Sequence, residues 1–412
     1  MTNRLSFWKS GHLPTLAGAF LYFDVSFMIW VLLGALGNYV ASEFGLSPAQ
    51  KGLMTAIPLL GGSILRLVLG YLTDSIGARK AGLIGMAATF LPLLGGWLWA
   101  GSISGVYALG LCLGVAGASF AVALPMASRW YPPEHQGLAM WIAGAGNSGT
   151  ILATLFSPRL AEAFGWHAVF GLAMIPLAAV AAFFLLFAKD APSRPAAPGW
   201  SDYLSLFKER DTFLFSLFYS VTFGGFVGLA SFLSILLRDQ YAVSKVHAGD
   251  LTALCVFAGS FIRPVGGFLA DRIGGVRMLM LVYAAVAALA LGVAQLPALT
   301  LAVLLFFLMM ACLGAGNGSV FQLVPQRFGA RVGTATGIFG AAGGIGGFLL
   351  PTALGWLKQA AGSYGAGLAL FASLSALAFL TLAFVQRHWI GDWVSHGGTV
   401  RTNLPQEDAE AA

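Results

Sequence analysis

The sequence predicts an all-α polytopic membrane protein, with twelve transmembrane helices in two pseudo-symmetric six-helix bundles. Three observations predict it. Apolar residues make up 58% of the 412-residue chain and charged residues only 9%, where soluble domains carry about a quarter charged. The apolar residues fall into twelve runs, each long enough to cross a bilayer. A set of glycine, aspartate and arginine positions recurs at one constant spacing between the two halves of the chain.

So few charges cannot cover a water-facing surface of this size, so the apolar surface must face lipid. The net charge of +6 does not imply a nucleic-acid partner, because the basic residues sit in short loops between apolar runs. Met1 to Pro14 is polar, and the first apolar run is too long for the h-region of a signal peptide, so it reads as a first spanning helix. Cys112, Cys255 and Cys312 lie in apolar runs without CxxC spacing. They are expected to be free, buried thiols with no metal or disulfide role.

A spanning helix needs about 20 predominantly apolar residues. The runs predict spans at 14–40, 49–73, 80–100, 104–130, 136–160, 165–188, 211–237, 246–271, 277–296, 298–325, 332–358 and 364–386. The polar stretch 189–210 reads as a cytoplasmic linker between an N-terminal bundle, 1–188, and a C-terminal bundle, 211–386. Residues 387–412 read as a polar cytoplasmic tail, disordered at its end. With both termini and the linker on one side, that side holds 15 Lys/Arg. The other holds five: Lys51, Arg159, Arg238, Lys245 and Lys358. The threefold bias places both termini in the cytoplasm and supports an even number of spans.

The repeat is explicit. Gly70-x-x-x-Asp74-x-x-Gly77-x-Arg79-Lys80 follows the second span, and Gly267-x-x-x-Asp271-Arg272-x-Gly274-x-x-Arg277 follows the eighth. The offset is 197 for Gly70 and Gly267, for Asp74 and Asp271, for Gly77 and Gly274, and for Arg66 and Arg263. Parallel repeats of this kind place a substrate site at their interface near mid-membrane.

Charges inside spans cost roughly 2.5–3.5 kcal/mol on insertion scales and mark function. Three stand out: Asp24, Arg66 and Arg263. Each arginine lies eight residues before the aspartate of its loop, or about 12 Å deep, and Asp24 lies about 15 Å deep on the same rise. Two arginines facing each other repel unless an anion sits between them. The arginine fork is planar and permanently charged, and suits a planar oxyanion. Asp24 is the one carboxylate at that depth, and one carboxylate cannot neutralise two arginines. Aromatic and amide side chains can complete such a site: Phe120, Tyr219, Phe223 and Asn147. Tyr219 and Phe223 share a helix face, although spacing alone does not separate ligands from core or lipid-facing rings. Glycine runs at Gly144, Gly146 and Gly149, and at Gly340, Gly343, Gly346 and Gly347, allow close helix approach and sliding.

The loop Gly70-x-x-x-Asp74-x-x-Gly77-x-Arg79-Lys80 resembles the signature of the major facilitator superfamily, where it forms a cytoplasmic gate. The resemblance implies gating roles for Gly70, Asp74 and Arg79, and for Gly267 and Asp271. Further stretches resemble the nitrate/nitrite porter family of that superfamily. They are Phe23-Asp24-Val25-Ser26-Phe27-Met28-Ile29-Trp30, Leu65-Arg66, Tyr219-x-x-x-Phe223-Gly224, Arg263-Pro264 and Gly316-Asn317-Gly318-Ser319-x-Phe321-Gln322. In that family two arginines hold nitrate, which implies Arg66 and Arg263. Phe120 and Phe223 map to a stacking pair, and Asn147 and Tyr219 to polar contacts. Gly344 stands where the repeat places the mate of Asn147, so that contact is not duplicated.

Asp24 makes the chain resemble the proton-coupled importers, including assimilatory nitrate transporters of bacteria, more than the exchangers. The resemblance implies a monomeric symporter in a bacterial inner membrane, with nitrate, or nitrite, and protons as its partners and no cofactor. Nitrate/nitrite exchange is the alternative, followed by transport of formate or oxalate. A sensor built on this scaffold would carry a signalling domain longer than the 26-residue tail. No nucleophile–base pair, metal-ligand spacing or phosphate loop points to an enzyme.

Overall fold

The computed structural model describes residues 7–192, 199–389 and Trp393. Twelve helices are long and apolar enough to span a membrane. In the first half they are α1 (Leu13–Trp30), α2 (Pro48–Ile76), α3 (Ala78–Leu98), α4 (Ile103–Ser128), α5 (Leu138–Phe164) and α6 (Trp166–Phe187). In the second half they are α7 (Arg210–Tyr241), α8 (Lys245–Ile273), α9 (Gly275–Ala294), α10 (Leu299–Phe328), α11 (Val332–Ala361) and α12 (Gly365–Trp389). The expected spans are all present, with ends shifted by a few residues except in the first, whose long helix stops at Trp30, ten residues before the expected end. The chain is a multi-pass membrane protein.

The repeat is built into the local structure. Ser47 caps α2 by accepting from the Gln50 N–H, and Ser244 caps α8 by accepting from the His247 N–H at 3.1 Å. The turns that leave these helices pivot on Gly77, at φ 98°, and Gly274, at φ 94°. Only glycine reaches such backbone angles without a Cβ penalty. Ser47 and Ser244, like Gly77 and Gly274, stand 197 residues apart.

The same offset governs how the halves meet. On the side opposite the chain ends, α2 crosses α11 where a Cβ on Gly52 would lie 2.4 Å from the Pro351 carbonyl oxygen. There α8 crosses α5 where a Cβ on Gly249 would lie 2.6 Å from the Thr154 carbonyl oxygen. Both members advance by 197 (249 − 52 and 351 − 154). Between the two seams, Gly34 abuts the backbone of Ser231, its own repeat mate. Glycine at each crossing lets backbones touch, which is how membrane helices pack tightly.

Among the described residues, two ion pairs cross between the halves, both on this side. Lys51 reaches Asp239 at 2.8 Å, with the Tyr364 hydroxyl donating to the same carboxylate at 2.9 Å. Arg159 reaches Asp250 at 2.6 Å. Asn38 adds a hydrogen bond to the Ser234 carbonyl at 3.1 Å.

Several of the spans are interrupted. The first span continues past Trp30 only as the short helices Leu32–Ala35 and Gly37–Phe44. Span α4 breaks after Gly117 and restarts at Phe120. Span α5 tightens to a 3₁₀ turn at Ala145–Ser148, inside its glycine run. Span α7 carries one π turn at Ser220–Gly224. The expected linker contains a short helix, Trp200–Leu206, and most of the expected tail lies outside the described residues. The thiols correct one expectation: Cys255 is buried, but Cys112 is exposed and Cys312 half-buried on apolar helices that face lipid.

Candidate functional site

Arg66 is buried within α2 at 1% exposure. Its Nη1 donates to the Gly340 carbonyl at 2.5 Å and its Nη2 to the Gly117 carbonyl at 2.8 Å. The break in α4 makes the second acceptor available, because the Ala121 N–H turns to Ala118 and leaves the Gly117 carbonyl to the arginine. Gly340 makes the first possible, since a Cβ there would lie 2.9 Å from the arginine Cδ. Three rings surround the guanidinium carbon: Phe120 at 5.3 Å, Phe223 at 5.5 Å and Trp30 at 5.6 Å. A desolvated cation gains from ring faces within about 6 Å.

Arg263, its repeat mate on α8, is held differently. It is half-buried, 5.8 Å from the Phe321 ring, with a buried Nη1 that has no hydrogen-bond partner. The two guanidiniums are close enough to act on each other electrostatically, and Tyr219 lies within reach of both.

The rings join the halves. Tyr219 stacks on Phe223 with centroids 5.0 Å apart and planes 5° apart, and Phe321 meets Tyr219 edge-on at 5.0 Å. Phe120 from the first half reaches Phe321 from the second at 6.0 Å, and Trp30 reaches Phe223 at 6.5 Å. The π turn of α7 lies between the Tyr219 and Gly225 positions, and such turns recur at functional sites.

Asp24 is buried at 8% exposure, and its Oδ1 accepts from the Ser148 hydroxyl at 2.6 Å. Among the described residues no carboxylate pairs with Arg66 or Arg263. Asn147, set in the 3₁₀ turn of α5, is buried at 2% with its Oδ1 unpartnered.

The expected residues thus divide. Arg66, Arg263, Phe120, Tyr219 and Phe223 come together in one enclosure. Gly343 belongs there too, since a Cβ on it would lie 2.7 Å from the Tyr219 ring. Gly346 and Gly347 press on α7, and Gly146 and Gly149 press on α1. Gly144 does not pack, having nothing within 4 Å of a Cβ position, so its expected packing role is corrected. Gly344 is filled from across the interface by the Ser63 hydroxyl.

The loops are unequal. Asp74 pairs with Arg129 at 2.5 Å, and Arg79 donates to the Leu185 carbonyl at 2.6 Å. Asp271 is exposed, and among the described residues it makes no ion pair; the mate of Arg129 at the repeat offset is Gln326. Gly70 and Gly267 have only ordinary contacts.

Sequence reasoning did not single out Trp30 or Phe321 as site residues. Both lie in the stretches quoted for their resemblance, but apolar spans carry many aromatic residues, and nothing in the spacing tells an inward ring from a lipid-facing one.

A model of the Major Facilitator Superfamily matches residues 18–351. The nitrite extrusion protein of Bacillus subtilis is 34% identical over 87% of this chain and 90% of its own length. A probable nitrate/nitrite transporter of Mycobacterium tuberculosis is 37% identical over 80% of this chain and 85% of its own. A probable nitrate transporter of Staphylococcus haemolyticus is 32% identical over 88% of this chain and 94% of its own. A bacterial homologue of the human lysosomal transporter Spinster, solved in an inward-facing and occupied conformation, shares the fold at TM-score 0.66 and 18% identity, over 90% of this chain and 96% of that one. The chain therefore belongs to the major facilitator superfamily and, within it, to the nitrate/nitrite porter family.

Proposed function

We propose that this chain imports nitrate across a bacterial inner membrane by proton symport, through alternating access to the enclosure between Arg66 and Arg263. One observation carries the proposal. Two mutually repelling guanidiniums sit at mid-span, among aromatic rings, and no carboxylate pairs with either among the described residues. An anion is the missing counter-charge. A flat one suits the stacked rings, and a planar oxyanion suits the two forks. The names of the relatives support nitrate or nitrite.

In this reading Arg66 and Arg263 bind the anion, Phe120 and Phe223 cover its faces, and Tyr219 and Asn147 donate to its oxygens. The cation bias of the loops supports a cytoplasmic place for both termini, and in this reading the seams at Gly52 and Gly249 lie on the periplasmic side. The unit that operates is one chain, its two bundles separated by the linker.

Import against an inside-negative potential is opposed by about 2.3 kcal/mol per charge per 100 mV. Two or more protons per nitrate reverse that. Asp24 is the one carboxylate of α1, and Phe23, beside it, contacts Phe120 at 5.7 Å. An anion between the arginines offsets their positive field and so makes a proton on Asp24 easier to hold. Obligatory nitrate/nitrite exchange is the second reading, favoured by the hydrogen bond that ties Asp24 to Ser148 as a structural residue would be tied.

Proteoliposomes with a trapped pH dye and no internal nitrate or nitrite separate the two. Nitrate-dependent acidification of the lumen, lost in Asp24→Asn, supports symport through Asp24. Uptake that begins only when nitrite is supplied inside makes the protein an exchanger.

A further inference from the structure

The internal repeat puts two residues in one place that chemistry would not expect to be exchanged. Phe120 on α4 and Asn317 on α10 stand 197 residues apart, the same offset that relates Arg66 to Arg263. Phe120 lies against its arginine, 5.3 Å from the guanidinium carbon of Arg66. The corresponding packing in the second half is tight. A Cβ on Gly318 would lie 2.2 Å from the Arg263 carbonyl oxygen, so the backbone of α10 is pressed onto Arg263 one residue from Asn317. One turn along α10 from Asn317 is Phe321, on the same helix face, and Phe321 contacts Arg263, Tyr219 and Phe120.

Asn317 is 1% exposed and its Oδ1 has no hydrogen-bond partner. A buried, unsatisfied amide oxygen costs roughly 1–3 kcal/mol, and an apolar residue at the same position would avoid that cost. Nη1 of Arg263, whose backbone α10 meets at Gly318, is also buried and unpartnered. In the first half the broken α4 gives Arg66 the Gly117 carbonyl. In the second half α10 runs unbroken from Leu299 to Phe328, so the carbonyl of Gly314, the repeat mate of Gly117, stays in the helix ladder and is not offered to Arg263.

We propose that Asn317 is a specificity-determining residue of the anion site, facing the substrate from the second half as Asn147 does from the first. This rests on the reading of the enclosure as a nitrate or nitrite site. The Asn317 amide N–H donates to an oxygen of the bound anion, and its Oδ1 receives the Arg263 N–H once the anion draws that guanidinium inward. The first half then meets the anion with a ring at this position and the second half with an amide. Nitrate has three oxygens and nitrite two, so an added donor favours nitrate over nitrite.

The test is equilibrium binding of nitrate and of nitrite to purified wild type, Asn317→Leu, Asn317→Ser and Asn317→Asp, with thermal melts alongside. The expected result is a loss of nitrate affinity of about tenfold or more in Asn317→Leu, with nitrite affected at least threefold less, as a lost charge-assisted contact predicts. Asn317→Ser keeps a short donor and falls between. Asn317→Asp sets a charge against the anion and loses both. A structural role would lower the melting temperature and weaken both anions equally, and that result overturns the proposal. So does unchanged affinity in well-folded Asn317→Leu and Asn317→Ser. Wild type that binds neither anion overturns the reading of the substrate and this inference with it.

Discussion

Arg66 on α2 donates to the Gly340 carbonyl on α11 at 2.5 Å, so a single guanidinium bonds the first half of the chain to the second. The same side chain is proposed to hold the substrate. Anything that pulls on it therefore acts directly on the contact between the halves, and binding and rearrangement share one side chain.

Arg66→Lys keeps the charge and removes the fork. One ammonium cannot serve Gly340, Gly117 and an anion with the same planar geometry. Hydrogen bonds to charged groups contribute roughly 1.5–3 kcal/mol each, so nitrate affinity is expected to fall at least about tenfold. Calorimetric titration of nitrate checks this, and a lysine variant that binds as wild type does would remove Arg66 from the site.

Phe321→Leu tests the ring that joins Phe120 to Tyr219. Aromatic pairs contribute roughly 0.5–1.5 kcal/mol beyond area burial, so the substitution is expected to weaken nitrate binding about three- to tenfold while the melting temperature moves little. Equal binding by both proteins would mean that the ring fills space and no more.

Gly149→Ala and Gly144→Ala form a matched pair. A Cβ at Gly149 would lie 1.8 Å from the Asp24 carbonyl oxygen, whereas one at Gly144 meets nothing within 4 Å. Overpacking costs typically about 1–3 kcal/mol. Gly149→Ala is expected to lower the melting temperature and abolish uptake, and Gly144→Ala to leave both unchanged. Similar behaviour of the two would contradict the packing of α5 on α1 described above.

Asp239→Asn removes the ion pair with Lys51 and weakens the acceptor of the Tyr364 hydroxyl. Such a pair is worth up to about 1 kcal/mol, so the ratio of open to sealed states on this side is expected to rise by up to about fivefold. In a background with the three native cysteines replaced by alanine, a cysteine at Ser234 reports it. Its labelling by an impermeant thiol reagent should quicken, and an unaltered rate would show that the backbone seams alone hold this side shut.

The outline of the fold was legible because its determinants are coarse. Twelve apolar runs need no fine geometry to be read, and the 197-residue offset survives in residues whose chemistry tolerates no substitute, such as Gly77 and Gly274 at positive φ. Arg66 and Arg263 were legible because a buried charge is conspicuous in an apolar span. The local breaks were not. The interruption of α4 after Gly117 has no proline to announce it, and the π turn of α7 falls within an ordinary apolar run. Those breaks decide which carbonyl Arg66 meets and which rings gather around it. Trp30 and Phe321 could not be distinguished from other aromatic residues until the helices were given their neighbours.

The seams at Gly52 and Gly249 are one contact made twice, on either side of the axis where Gly34 meets Ser231. A load shared by two matched attachments placed symmetrically about a pivot produces no net torque. Here the α2–α11 edge is held further in as well, by Ser63 against Gly344 and by Arg66 on the Gly340 carbonyl, so the load is unequal and separation of the halves on that side is expected to begin with a twist that frees the α5–α8 edge first.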